Sequence, residues 1–222
     1  MKRLLKTHTT AGLRSALRGV RDEWQLARRH RRALKRVPPI VSRAGLLKLN
    51  LGCGPNPKPG WVNIDLWHPA ADLTLDLREP WPFPDQSVTY IYSEHVLEHF
   101  EFHREIPHVL GESMRVLCPG GIFDVGVPDS EWPIRSYGNP QDEYWHLVTG
   151  WHPAWCATQL DHLNYHFRQD GEHKYAWDHE TLARSLRQSG FTAILRREFD
   201  NQLDTESRRT GTLYLRATKP AS

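Results

Sequence analysis

The chain has 222 residues, 39% apolar and 25% charged, and its cysteines, Cys53, Cys118 and Cys156, form no CxxC pair; one buried core without disulfide or thiolate-metal staples, in a reducing compartment, is expected. No apolar run approaches the roughly twenty residues of a membrane span and the N-terminus lacks the apolar centre of a secretory signal, so the expectation is a soluble, cytoplasmic protein. The net charge of +3 is unevenly spread: residues 1–37 carry twelve Lys or Arg against Asp22 and Glu23, a balance of +10, leaving 17 basic against 24 acidic residues, −7, for the rest.

Residues 1–39 read as a basic amphipathic helix and linker. Leu13, Leu17, Val20, Trp24, Ala27 and Leu34 recur at helical spacing beside a second stripe of Arg14, Arg18, Arg21, Arg28, Arg32 and Lys35. Thr9 or Thr10 caps the helix and Pro38-Pro39 ends it. The expectation is that the apolar stripe packs on the domain and the basic face stays in water. The charge also suits an anionic membrane surface, which would make the protein membrane-associated, or a partner protein or RNA. An Arg-rich start resembles an organelle transit peptide too, with Asp22 and Glu23 speaking against it.

From residue 40 the period changes. Leu46 to Leu51, Val62 to Leu66, Asp72 to Leu77, Val88 to Ser93 and Gly121 to Val127 are short apolar runs bounded by Gly, Pro and Asp, as buried parallel strands are. Residues 95–117 carry Val96, Leu97, Phe100, Ile106, Val109, Leu110, Met114 and Leu117 at helical intervals, until Cys118-Pro119-Gly120-Gly121 breaks the helix. Residues 179–189 form another helix, and Phe191 to Arg197 and Thr212 to Thr218 supply two closing strands. The order predicts a doubly wound α/β domain over residues 40–222. The stretch 129–178 interrupts that rhythm. It holds five of the nine tryptophans, Trp132, Trp145, Trp151, Trp155 and Trp177, with His146, His152, His162, His166 and His173. A loop of this length suits a lid over a second substrate, and aromatic packing that seals the sheet edge is the alternative.

In open parallel sheets the ligand lies beyond the carboxyl ends of the strands. Gly52-Cys53-Gly54 follows the first predicted strand, Asp65 closes the second, Asp76 the third, Ser93-Glu94-His95 follows the fourth and Pro128-Asp129 the fifth. Pro55, Pro57 and Pro59 forbid a helix directly after the glycine turn, and the acid comes too early for a dinucleotide fingerprint. A nucleoside without a pyrophosphate fits better. Asp65 can accept from ribose hydroxyls and Asp76 from an adenine amino group, while the glycines admit an amino-acid tail.

The segments LNLGCG, WVNID, ADLTLDLREPWPFPDQSVTYIYSEHVLEH and RVLCPGGIFDVGVPD together resemble a class I S-adenosylmethionine-dependent methyltransferase of the methyltransferase type 11 kind, from about Lys48 to Asp129, with a looser echo in DHETLARSLRQSGF. The resemblance implies a seven-strand Rossmann-like sheet with S-adenosyl-L-methionine as cofactor. By position, Gly52 and Gly54 match the loop beside the methionine part, Asp65 the ribose acid, and Asp76 with Leu77 the adenine pair. Ser93 to His95 match the wall nearest the transferable methyl. Asn50 stands in the first strand where the family usually has an acid, Asn56 replaces a third glycine, and the first crossover is short.

His95-Val96-Leu97-Glu98-His99 matches HxxEH, a zinc-hydrolase signature when carried on a helix with a third ligand. Here it follows a strand at the cofactor edge, so no metal is expected and the hydrolase is a remote alternative. For methyl transfer to a hydroxyl, His95 is the expected general base, with Glu94 as its orienting partner or substitute. Cys53 reads as a packing residue. The expected acceptor is a hydroxyl of a sugar-like or other polar small molecule, drawn from the tryptophans and histidines of 129–178 with Asn164, Asp161 and Asp170. A protein side chain is admissible through an open lid. The −7 balance of the main domain argues against a nucleic acid. A catalytically silent scaffold that recruits partners through the first helix is the alternative.

Overall fold

The computed structural model describes residues 9–221. The core is a six-stranded sheet in the order β2-β1-β3-β4-β6-β5. Strands β1 (Leu47–Leu51), β2 (Val62–Ile64), β3 (Val88–Glu94) and β4 (Leu117–Pro128) run parallel, and β6 (Thr212–Thr218) lies antiparallel to both β4 and β5 (Thr192–Arg197). Leu49, Leu51, Ile91 and Val125 are buried at the sheet centre, which is why the parallel strands read as near-continuous apolar runs. The order reverses at β1, and a crevice opens there beyond the carboxyl ends.

Asp72 to Leu77 does not form the seventh strand: it contributes one bridge, Leu73 to Ile64. β2 offers only three residues to pair with. Asp72 instead spends its side chain on β2, Oδ2 accepting from the Asn63 backbone N–H at 2.8 Å. The 95–117 helix is also shorter than expected. His95 takes φ 55°, Leu97–His99 is a 3₁₀ turn, and helix α3 (Glu105–Val116) starts beyond it, with the Glu105 carboxylate accepting from the Glu101 N–H at 2.7 Å. The helix does end just before Cys118 to Gly121, and these residues open β4, which starts at Leu117 and so ahead of the expected Gly121.

Thr10 caps helix α1 (Ala11–Leu34), its Oγ1 accepting from Leu13 N–H at 3.2 Å. Pro38 and Pro39 do not simply stop it; they open helix α2 (Val37–Ala44) near its first turn, where a missing N–H costs nothing. The expected packing of α1 is overturned. Leu26 and Ala33 are buried, whereas Leu13, Leu17, Val20 and Trp24 are 48%, 52%, 70% and 56% exposed. No helix among the described residues is long and apolar enough to cross a membrane.

Residues 129–178 are helical in large part: α4 (Glu131–Ser136), α5 (Glu143–Val148) and α6 (Gln159–Arg168), ahead of α7 (His179–Gln188). Tyr144, Trp145 and Val148 form a small core of their own, with Trp132 and Leu163 packed on it. Trp177 belongs to the main core.

Candidate active site

A cavity of about 620 Å³ opens at the carboxyl ends of β1, β2 and β3, and Gly52, Gly54, Asp65, Asp76, Leu77 and His95 all line it. Gly52 sits at φ 58°, where a Cβ would stand 2.3 Å from Val96 Cγ2. Only a bare backbone passes there. Asp65 is oriented by three amides: Gly54 N–H donates to Oδ2 at 2.9 Å, and Trp67 and His68 N–H each donate to Oδ1 at 2.8 Å. A carboxylate has about four acceptor positions, so a fourth remains on this cavity-lining residue.

Asp76 is engaged by Arg78, whose Nε lies 3.0 Å from Oδ1 and Nη2 2.7 Å from Oδ2. Burial pushes the Asp76 pKa up, but the side-chain and backbone hydrogen bonds from Arg78 outweigh it and hold the carboxyl below the usual range. Glu23 of α1 takes the far side of the same guanidinium at 3.1 Å, and the Asp76 N–H donates to His30 Nδ1 at 3.2 Å. Glu23 and Leu26 thereby become cavity wall.

Three other residues expected at the site lie beside it. Asn50 donates to Asn63 Oδ1 at 2.9 Å and to the Asn56 carbonyl at 3.2 Å, and faces a separate cleft of about 10 Å³ shared with Gly52 and Cys53. Ser93 is fully buried and its hydroxyl has no partner. Glu94 does not orient His95: its Oε1 accepts from Tyr214 Oη at 2.8 Å and its Oε2 from Arg208 at 3.3 Å. Asn50 lies within β1, and Ser93 and Glu94 are the last two residues of β3, which runs one residue further than expected. Cys53 is buried, and burial first, then Asp65, push its thiol up to about 11, as suits an inert packing residue.

His95 occupies a different position from all of these. With Arg208 it lines both the first cavity and a second one of about 330 Å³. Its Nε2 lies 2.9 Å from Thr212 Oγ1 and its Nδ1 3.6 Å from Glu98 Oε1. Burial and then the Arg208 guanidinium hold its pKa well below the ordinary imidazole value, so the ring is neutral at pH 7. A positive φ on a non-glycine residue here is backbone strain at the point where the cavities meet.

The second cavity is walled by Tyr144, Tyr165, Trp151, His152, His166, His173 and Gln169, together with Asp129 and Arg208. Burial lowers His152 and His166 to about 4 and lowers His173 as well. Its imidazoles are therefore uncharged hydrogen-bonding groups. Of the tryptophans expected to form this wall only Trp151 does. Asn164, Asp161 and Asp170 are not in it: Asn164 donates to the Leu160 carbonyl at 3.0 Å and Asp161 closes the capping box of α6.

Sequence order could not locate Glu23, Trp67, Arg78, Glu172, Lys174 or Arg208 at the first cavity. They come from five separate stretches of chain, and only Trp67, two residues past Asp65, and Arg78, two residues past Asp76, carried a local signal. The Gly52 cradle that a Cβ would fill, the open acceptor position of Asp65 and the cavity volume fit a nucleoside with an amino-acid tail.

A family model described as "Methyltransferase domain" matches residues 64–125. No curated protein sequence matches. Among solved structures, a SAM-dependent methyltransferase from Archaeoglobus fulgidus is 16% identical with a TM-score of 0.49, over 89% of this chain and 94% of that one. An S-adenosylmethionine-dependent methyltransferase from Mesorhizobium loti is 21% identical with a TM-score of 0.47, over 84% and 96%. A structure titled as a possible exported protein from Bordetella parapertussis is 16% identical with a TM-score of 0.49, over 87% and 68%.

Proposed function

We propose that this chain, which carries a class I S-adenosylmethionine-dependent methyltransferase domain, transfers the methyl group to a hydroxyl of a small, uncharged, polar molecule, sugar-like in its hydrogen-bonding demands. The observation that carries this reading is the position of His95, which with Arg208, alone among the described residues, lines both cavities.

S-adenosylmethionine, when bound, supplies an electrophilic methyl on a sulfonium. The chain then has two tasks, alignment and proton removal. Gly52 lets the backbone close on the amino-acid tail, Asp65 presents its open acceptor position to the ribose, and Leu77 offers an apolar surface to the base. In the second cavity, neutral histidines and tyrosines would hold a polyol by hydrogen bonds, and a volume of about 330 Å³ suits a small ligand. An acceptor hydroxyl that displaced the Thr212 hydroxyl from Nε2 would give its proton to His95 as its oxygen took the methyl group that bound S-adenosylmethionine would supply, and the imidazole would carry the proton away.

One observation favours the second reading, a catalytically silent scaffold that recruits partners through its N-terminal helix: Arg78 already claims both oxygens of the adenine-side acid Asp76. The HxxEH hydrolase has less support, because residues 97–99 form a 3₁₀ turn and His95 faces Thr212.

The test pairs S-adenosylhomocysteine calorimetry with a scan of sugars and other polyols for a mass gain of one methyl group. His95→Ala is expected to keep cofactor affinity and to lower turnover by roughly 10²–10⁴. Turnover that survives His95→Ala removes the base assignment, and cofactor binding with no methylated product from any hydroxyl compound favours the scaffold.

A further inference from the structure

Beside the junction of the two cavities, the 3₁₀ turn after β3 meets the segment that follows α6. Backbone hydrogen bonds fix that meeting: Lys174 and Tyr175 N–H donate to the Glu98 carbonyl at 2.8 and 3.2 Å. Three side chains converge there, Glu98, His99 and His173, each offering one ligand atom within 4.8 Å of the others.

Their preparation is what a metal ion requires. His99 Nδ1 lies 3.0 Å from the Glu172 carbonyl and His173 Nδ1 3.1 Å from the His166 carbonyl. A carbonyl only accepts, so each imidazole carries its proton on Nδ1 and leaves the Nε2 lone pair free, the outer-shell arrangement that orients metal-bound histidines. Glu98 is 1% exposed, and neither of its carboxylate oxygens has a hydrogen-bond partner. A buried carboxylate without donors is costly to leave unpaired. A cation held by two imidazole nitrogens and this carboxylate would resolve it.

We propose that Glu98, His99 and His173 bind one divalent transition-metal ion, with Zn²⁺ the best match to a two-histidine, one-carboxylate set that leaves a fourth position open. The ligands of a tetrahedral shell at ~2.1 Å stand roughly 3.4 Å apart, so atoms now within 4.8 Å of one another have to draw together by about 1.4 Å at most. The set differs from the HxxEH signature. His95, its first histidine, is turned toward Thr212 by its left-handed backbone, and the third ligand comes from His173, which no local pattern marks.

The site has a use at this place. His99 lines the cofactor cavity and His173 the acceptor cavity. Provided that the proposed transfer to a hydroxyl holds, a hydroxyl bound at the open position becomes more acidic and is held for His95 to deprotonate. The binding site itself does not depend on that reading.

The test uses the full-length protein after chelation and dialysis, titrated with Zn²⁺ by calorimetry and Co²⁺ by absorption, with S-adenosylhomocysteine affinity measured in parallel. All titrations carry Cys156→Ser, which breaks a second cluster of His152, Cys156 and His162. One equivalent of Zn²⁺ should bind, and His173→Ala and Glu98→Gln should each weaken it by more than roughly 100-fold, beyond the 10–100-fold typical of outer-shell changes. Neither residue lines the cofactor cavity, so both variants should keep cofactor affinity. If a variant loses it through misfolding, the thermal midpoint of the Cys156→Ser protein decides: a rise with Zn²⁺ reversed by chelator supports the site, and no rise overturns it. Folded variants that bind Zn²⁺ as tightly as their parent overturn it as well. Metal binding without any cofactor affinity would retain the site and reject the methyl-transfer reading.

Discussion

Arg78 forks the carboxylate of Asp76, Nε to Oδ1 at 3.0 Å and Nη2 to Oδ2 at 2.7 Å, and this pair ties the N-terminal helix to the cofactor cavity through Glu23. Asp76 is nearly buried, so Arg78→Ala leaves its charge with only the backbone N–H of residue 78, 3.0 Å from Oδ1, as a donor. The variant should lose about 3 kcal/mol at pH 7, as expected for breaking a largely buried pair. The pH dependence has a definite sign. A carboxyl held low in the folded state stabilises above its unfolded value near pH 4 and loses that contribution as pH falls through the folded value. Denaturant titrations across pH 3 to 7 should therefore show the gap between parent and variant narrowing toward acid; a gap independent of pH would exclude the pair as its source.

Glu23 and Leu26 line the cavity, so the helix is more than a tether. Deleting residues 1–37 should weaken S-adenosylhomocysteine binding by about tenfold, equivalent to one modest contact. Undiminished affinity in calorimetry would show that the helix adds nothing to the site.

Gly52 and Gly54 both adopt positive φ, yet their surroundings differ. Gly52→Ala would place its Cβ 2.3 Å from Val96, whereas Gly54→Ala meets nothing within 4 Å. The left-handed backbone costs either alanine about 1–2 kcal/mol, and overpacking adds roughly 1–3 kcal/mol at Gly52 alone. Thermal melts should rank the two variants in that order, with cofactor affinity hit harder in Gly52→Ala.

Asp65→Ala removes three backbone acceptor contacts together with the proposed ribose acceptor. Cofactor affinity should fall by roughly 1.5–3 kcal/mol, the range for hydrogen bonds to a charged group. Calorimetry that finds the affinity unchanged would take Asp65 out of the site.

Leu13, Leu17, Val20 and Trp24 form an exposed stripe on a helix flanked by arginines. The protein should sediment with vesicles rich in anionic lipid, more weakly as salt rises, and Leu17→Asp with Trp24→Ser should abolish the attachment. Equal sedimentation of the variant, or binding to neutral vesicles alone, would reject the surface role.

The local patterns of this chain were enough to read its α/β order, the first helix and its Thr10 cap, the glycine turn, and Asp65, Asp76, Leu77 and His95 as cavity residues. Each rests on a signal confined to a few neighbouring residues: apolar period, a capping hydroxyl, or a position just past a strand. The same patterns misassigned what depends on partners far along the chain. A three-residue β2 left Asp72 to Leu77 with too short an edge to become a strand, and the side of α1 that meets the domain is that of Leu26 and Ala33, with Glu23 and His30 reaching Arg78 and Asp76, not the predicted apolar stripe. Glu94 was claimed by Tyr214 and Arg208, which pulled it away from His95. Only tertiary structure brought His173 to Glu98 and His99 and set His95 between two cavities, because both arrangements join stretches whose order in the chain says nothing about their distance in space.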